Sequence, residues 1–188
     1  GNVAGNLGTD ITVFSFQTVR LPNTIDGGAV AFKDEKLYQK ALLARDQGID
    51  RSIFRDENGE ISPKCDISTK GFGGTMSNVN GYIGSLQMDE IDGLLRRQKA
   101  NADKWNSEVE LFKLNGRSEI EPNYWVYGIL SDNKVEDMLR FREQGFYASG
   151  VHLPNSYYSA FGEQGHHPGV LEFNEKFIAL PCGWWFEK

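Results

Sequence analysis

The sequence predicts an α/β fold, and three observations carry that prediction. Near the start, two apolar runs of strand length flank a short loop rich in turn residues. Further along, apolar positions recur every three or four residues, the spacing of helices packed on one face. The last third returns to short β-branched and aromatic runs separated by one helical stretch. Strands interleaved with helices in this way suit a sheet covered by helices. At 188 residues, 39% hydrophobic and 12% aromatic, the chain can bury a substantial core as one domain or a small pair.

In order, the glycine-dense opening Gly1–Gly8 has neither helical nor strand periodicity and reads as a connecting loop. Ile11-Thr12-Val13-Phe14-Ser15-Phe16 has the content of a buried strand, and Gly28-Ala29-Val30-Ala31-Phe32 is similar. Between them, Pro22, Asn23, Thr24, Asp26 and the Gly27-Gly28 pair break helix and admit backbone conformations that bulkier residues resist. Polar residues are therefore held between two rigid elements. Asp34 is suited to cap a helix whose apolar face is Leu37, Tyr38, Ala41, Leu42 and Ala44, ending at Gly48. Residues 48 to 70 are polar and aperiodic, as in a long surface loop with solvated charges. Val79, Ile83, Leu86, Ile91, Leu94, Leu95, Ala102 and Trp105 predict one helix running to about Asn106. Tyr124–Leu130 reads as a strand, followed by a helix capped by Asp132 or Asn133 and stopped by Gly145. An extended run, Phe146 to His152, and a last buried strand, Phe177–Pro181, complete the pattern.

Composition excludes several functions. A net charge of −6 argues against nucleic acid, whose binders concentrate positive charge. No apolar run reaches the roughly 18 residues of a membrane helix, and no basic segment precedes an apolar signal core, so a soluble cytoplasmic chain is expected. Cys65 and Cys182 are far apart and form no CxxC pair, which suggests free thiols in a reducing compartment. With three histidines, and no third ligand spaced to join His166-His167, no metal site is expected. Trp184-Trp185-Phe186 is read as packing, because such rings bury large areas.

Ser15-Phe16, position 20, Thr24 and Asp26-Gly27-Gly28 together resemble the cofactor-lysine segment of the DegT-type sugar aminotransferases, which are fold-type-I enzymes using pyridoxal phosphate (PLP). Further matches are Gly71, Phe72, Met76, Ser77, Asn78, Gly84, Gln87 and Met88 in a second motif. A third lies at Gly145–Pro154, and Ile178-Ala179-Leu180-Pro181 echoes the family's closing segment. The match covers nearly the whole chain but only the C-terminal half of the family. It lacks the aspartate that pairs with the pyridine nitrogen, the ring-stacking aromatic and an early phosphate-binding turn. The resemblance implies the second half of an aspartate-aminotransferase-like large domain over residues 1 to about 106, and a small α+β domain over 107 to 188.

It also implies roles for individual residues. Ser15 would bond the cofactor phosphate; the alternative is a hydroxyl satisfied by neighbouring backbone. Position 20 is the family's Schiff-base lysine, and here it is Arg20. A lysine serves there because its neutral amine condenses with the PLP aldehyde and later shuttles a proton. A guanidinium stays protonated and does neither, although it can pair with phosphate or carboxylate. Natural degeneration and a deliberate lysine-to-arginine change both account for it. Where relatives use an amide or guanidinium to reach the neighbouring subunit's phosphate, this chain has Gly73, Gly74 and Thr75, leaving Thr75 or backbone N–H groups for the task. His152 would contact a nucleotide sugar, or else is a bland surface histidine.

The implied activity is PLP-dependent amino transfer to a nucleotide keto-sugar in polysaccharide or deoxysugar biosynthesis, from glutamate or a similar donor. PLP binding is expected to be weak or absent in this chain. A homodimer, or association with the missing N-terminal half, would supply what is lacking. The alternative is an inactive remnant or interaction domain. A third option replaces the lysine as sugar 3-dehydratases resembling this family do with histidine, and arginine disfavours it.

Overall fold

The computed structural model describes residues 8–114, 121–162 and 165–186. The chain divides into two compact units, Gly1–Asp89 and Glu90–Lys188. The expected connecting loop at the start lies, apart from Gly8, outside the described residues.

In the first unit, β1 (Ile11–Ser15) and β2 (Gly28–Phe32) pair antiparallel, with Val13 opposite Val30 and Ser15 opposite Gly28. The two strands lie where the apolar runs placed them, but they are not buried. Val13 is 74% exposed and Val30 47%, and among the described residues of this unit no apolar side chain is buried. A two-stranded sheet has no second layer of its own against which to bury a face. Helix α1 (Glu35–Arg45) follows, capped as expected by Asp34, whose carboxylate accepts the Leu37 N–H at 2.9 Å. It buries no residue either, so its expected apolar face is only half covered.

Gly48, at φ +80°, ends that helix and sits where a Cβ would lie 2.1 Å from the Thr69 carbonyl. Gln47 N–H donates to Phe72 O and Phe72 N–H to Ala44 O, which closes the ends of the 49–70 excursion against each other. Within it, Arg51 grips Asp46 with two nitrogens at 2.6 and 2.7 Å, and this bond holds the Asp46 carboxyl below its ordinary range. Arg51 and Arg55 both stack over Phe54.

The helix expected from Val79 to about Asn106 is two helices, α2 (Asn78–Met88) and α3 (Ile91–Glu108). Asp89 and Glu90 interrupt it, and the unit boundary falls between them. Helix α3 lies in the second compact unit.

The second unit holds the core. A three-stranded antiparallel sheet, ordered β3 (Phe112–Lys113), β4 (Val126–Leu130), β5 (Phe177–Pro181), sets Ile129 opposite Ile178 and Tyr127 opposite Leu180. The expected strand at Tyr124 starts two residues later, since Tyr124 has φ +53°, outside the extended region. The extended run after Phe146 reduces to one bridge, Ser149 with Ala179. Helix α4 (Lys134–Glu143) ends at Gly145, φ +89°, as expected. Asn133 stands at its N-cap, one of the two expected positions, but without a capping bond from its side chain; the buried Ser131 hydroxyl accepts the Asn133 N–H at 2.9 Å and donates to Asp137. Two single-turn 3-10 helices, Asn155–Tyr157 and Ser159–Phe161, and α5 (Pro168–Lys176) were not anticipated. No helix among the described residues is long and apolar enough to cross a membrane.

Trp105 on α3 centres the core, with ring centroids of Tyr127, Phe141, Phe146 and Phe186 between 5.0 and 6.5 Å away. Its Nε1 donates to Pro181 O at 2.8 Å, which satisfies the one polar atom of the ring. Asn101 donates to the carbonyls of Gly183 and Phe186 and so ties down the C-terminal turn. Of the terminal aromatic group, Phe186 packs as expected, whereas Trp185 is 55% exposed.

Removing the central ring should be costly. Trp105→Ala is expected to lower the unfolding free energy by roughly 3–5 kcal/mol, the usual cost of emptying an aromatic core site, as measured by urea denaturation. A loss under about 1 kcal/mol would contradict this packing. The two thiols should also differ. Cys182 is 1% exposed, and its pKa is pushed up to about 12, first by burial and then by the charge of Asp103. Iodoacetamide at pH 8 should label half-buried Cys65 in the native protein and reach Cys182 only on unfolding; equal rates would refute it.

Candidate functional site

The loop between β1 and β2 continues the hairpin before it opens. Phe16 N–H donates to Gly27 O at 2.9 Å and Thr18 N–H to Ile25 O at 3.1 Å, so the two arms stay paired beyond Ser15. The tip turns at Gln17, whose carbonyl accepts the Arg20 N–H at 2.8 Å and whose Oε1 accepts the Val19 N–H at 3.1 Å. Ile25 carries φ +69°, a conformation unfavourable for a β-branched residue. Such a residue persists only where its surroundings over-determine it.

Those surroundings come largely from α2. Gln87 accepts the Asn23 N–H at 3.0 Å and donates to the Asn23 carbonyl at 2.6 Å. About two turns toward the start of α2, Asn80 donates to Asp26 O at 2.9 Å. Thr24 is 3% exposed; its N–H goes to Phe16 O and its hydroxyl donates to Asp26 O at 2.8 Å. Its methyl faces Gly84, where an added Cβ would lie 2.7 Å away. Met76 covers Gly27 at the far side in the same manner, with its Cε 2.7 Å from where a Cβ would stand. Ser77 caps α2 by accepting the Asn80 N–H at 3.1 Å. The loop is therefore docked on α2 through the side chains of Asn80 and Gln87 and the close approach at Gly84, with Met76 just ahead of the helix packed against Gly27.

The sequence-predicted residues fall into separate places. Ser15 ends β1, exposed, and its hydroxyl accepts a long 3.5 Å contact from the Gln17 N–H. Arg20 is half-buried at the loop tip. Thr75 is exposed and directly precedes Met76, whose side chain meets the loop. The neighbouring Gly74 N–H is already donated to Arg45 O at 2.8 Å, so an anion at this segment would meet the Thr75 hydroxyl instead of that amide. His152 belongs to the second unit, exposed, with its N–H donated to Gly150 O. His166 and His167 precede α5, and among the described residues no cluster of His, Cys, Asp or Glu could hold a metal.

Tested against PLP, these donors fit one end of the cofactor and not the other. The exposed Ser15 hydroxyl at the end of β1 is a donor that suits a phosphate oxygen. A guanidinium at position 20 leaves the aldehyde without an amine to condense with. The residues that hold the loop, Asn23, Thr24, Asn80 and Gln87, were not singled out for that role from sequence. The available signal was Gln87 itself, a carboxamide closing a helix otherwise lined by Val79, Ile83 and Leu86.

Residues 1–183 match the family model described as the DegT/DnrJ/EryC1/StrS aminotransferase family. An uncharacterized protein of Methanocaldococcus jannaschii is 24% identical, over 96% of this chain and 50% of its own length. GDP-perosamine synthase of Escherichia coli O157:H7 is 28% identical over 72% of this chain and 35% of its own. Among solved structures, the sugar aminotransferase CalS13 from Micromonospora echinospora superposes with a TM-score of 0.83 at 24% identity, covering 95% of this chain and 48% of that one. The chain thus spans at most about half the length of these relatives.

The docked loop makes a direct prediction. In Gly84→Val a branched side chain meets the Thr24 methyl, and overpacking of roughly 1–3 kcal/mol outweighs the part of about 1 kcal/mol that replacing a helical glycine recovers. Hydrogen exchange of residues 16–27 should quicken while that of β4 and β5 stays unchanged. Unaltered exchange in the loop would show that the contact with α2 is dispensable.

Proposed function

Because the chain belongs to the DegT/DnrJ/EryC1/StrS aminotransferase family, we propose that it is built as the C-terminal half of a PLP-dependent aminotransferase of nucleotide keto-sugars. The observation that carries this reading is the loop from Ser15 to Gly28, kept as a rigid hairpin extension docked on α2. A scaffold of that kind presents a phosphate-binding hydroxyl and the position-20 side chain from a fixed backbone. The E. coli relative is named as a GDP-perosamine synthase, which supports a nucleotide sugar as the acceptor. Glutamate or a similar donor would supply the amino group, and PLP would supply the electron sink for its removal. Ser15 would hold phosphate, Thr75 would hold the phosphate of a partner subunit's cofactor, and His152 would touch the sugar nucleotide. Residues 1 to about 106 would complete a large domain and 107 to 188 form the small one, in a cytoplasmic homodimer.

A second reading is favoured by Arg20. With arginine at the amine position, no step of amino transfer runs through this chain as it stands, and the fold would serve as a non-catalytic partner. Either reading requires a covering for the exposed apolar residues of β1 and β2. The chain spans at most about half of its relatives' length, so the fitting occupant is a polypeptide carrying their other half.

The deciding experiment is Arg20→Lys in the full-length protein, or in complex with that missing half. The lysine form should turn yellow with PLP, give a borohydride-trappable adduct at residue 20, bleach with an amino donor and recover with a keto-sugar nucleotide. The arginine form should do none of these. A lysine form that is folded yet colourless would leave the non-catalytic reading in place.

A further inference from the structure

The side chain of Gln87 does for the loop what a neighbouring strand would do. Its Oε1 accepts the Asn23 N–H and its Nε2 donates to the Asn23 carbonyl, so one carboxamide satisfies both backbone groups of one residue. The same Nε2 reaches back to Ile83 O at 3.2 Å, which fixes the amide against its own helix. The Asn23 side-chain nitrogen also approaches Oε1, at 3.4 Å. The cluster is half-buried, where an unmade hydrogen bond costs more than in water.

Asn23 stands three residues after Arg20, at the foot of the tip. The tip's own bonds, from Val19 and Arg20 to Gln17, lie on the opposite arm. On the β2 side, Asn23 is the docked residue nearest to Arg20 in the chain, ahead of the buried Thr24 and of Asp26, whose carbonyl accepts from Asn80.

We propose that Gln87 is a positioning residue for position 20. By holding the Asn23 peptide, it fixes the loop tip and with it the direction from which the residue-20 side chain approaches a phosphorylated ligand at Ser15. The meaning of that direction rests on the aminotransferase reading. The clamp on the loop does not.

Chemistry separates a polar clamp from mere packing. Gln87→Leu keeps the bulk and loses both bonds. Gln87→Glu keeps the shape, and while ionised it can accept from the Asn23 N–H but cannot donate to the carbonyl. Protonation of that carboxyl returns a donor.

The test uses the full-length protein. Amide protection of residues 22–26, corrected for intrinsic exchange, should fall about tenfold in Gln87→Leu at every pH. In Gln87→Glu it should fall similarly at neutral pH and recover as the pH drops through the carboxyl's titration. That recovery also shows that the variant folds. Protection equal to wild type in both variants overturns the proposal, and so does a loss in Gln87→Glu that acid fails to restore.

A second arm reads position itself. In the Arg20→Lys background, adding Gln87→Leu should cut the yield of borohydride-trapped PLP at residue 20 about tenfold and displace its pH profile. An unmoved yield and profile overturn the positioning role. If Arg20→Lys takes up no PLP at all, the aminotransferase reading fails, and the exchange result alone decides whether Gln87 sets the loop.

Discussion

A hairpin of two five-residue strands cannot bury its own side chains, and this limit governs how the chain is held together. Hydrophobic burial is the main favourable term in folding, and here it is concentrated on one side of the boundary at Asp89. Trp105, Tyr127, Ile129, Phe141, Ile178 and Leu180 form a continuous core with β4 and β5 at its centre. The first unit has Val13, Val30, Leu37 and Ile53 open to solvent instead. Its order comes from hydrogen bonds: the Asp34 cap, the Asp46 grip on Arg51, the closed ends of the 49–70 excursion, and the contacts of α2 with the loop. Individually such bonds contribute only about 0.5–1.5 kcal/mol net.

The candidate site lies on this hydrogen-bonded side. Its backbone is determined by polar contacts whose geometry is directional, which suits a loop that must present one side chain at a defined place. Thr24 illustrates the economy of the arrangement: its methyl fits against Gly84, its hydroxyl serves Asp26, and its N–H serves Phe16. Position 20 is carried on that frame whatever residue stands there. The backbone N–H of residue 20 bonds to the Gln17 carbonyl independently of the side chain carried there.

Much of this was legible in the sequence because local signals and tertiary outcome agreed. Both strands of the hairpin, the Asp34 cap, the stops at Gly48 and Gly145 and the last strand at Phe177–Pro181 follow from turn chemistry and periodicity alone. The family motifs pointed to Ser15, which ends β1, and to position 20 in the loop that follows. Burial of β1 was misjudged because strand composition reports what a residue can pack against, not whether a second layer is present. The break at Asp89 was passed over because apolar spacing continues across it, from Met88 to Ile91. The clamp of Gln87 on Asn23 joins residues 64 apart in the chain, beyond the reach of any local rule.

The measurement that bears most directly on this account is amide hydrogen exchange on residues 1–188 alone, and then with the polypeptide that corresponds to the relatives' other half. With the core confined to the second unit, β4 and β5 should be strongly protected in the isolated chain while β1 and β2 exchange rapidly. Adding the other half should then protect Ile11–Ser15 and Gly28–Phe32. Protection of β1 and β2 equal to that of β4 and β5 in the isolated chain would contradict the account.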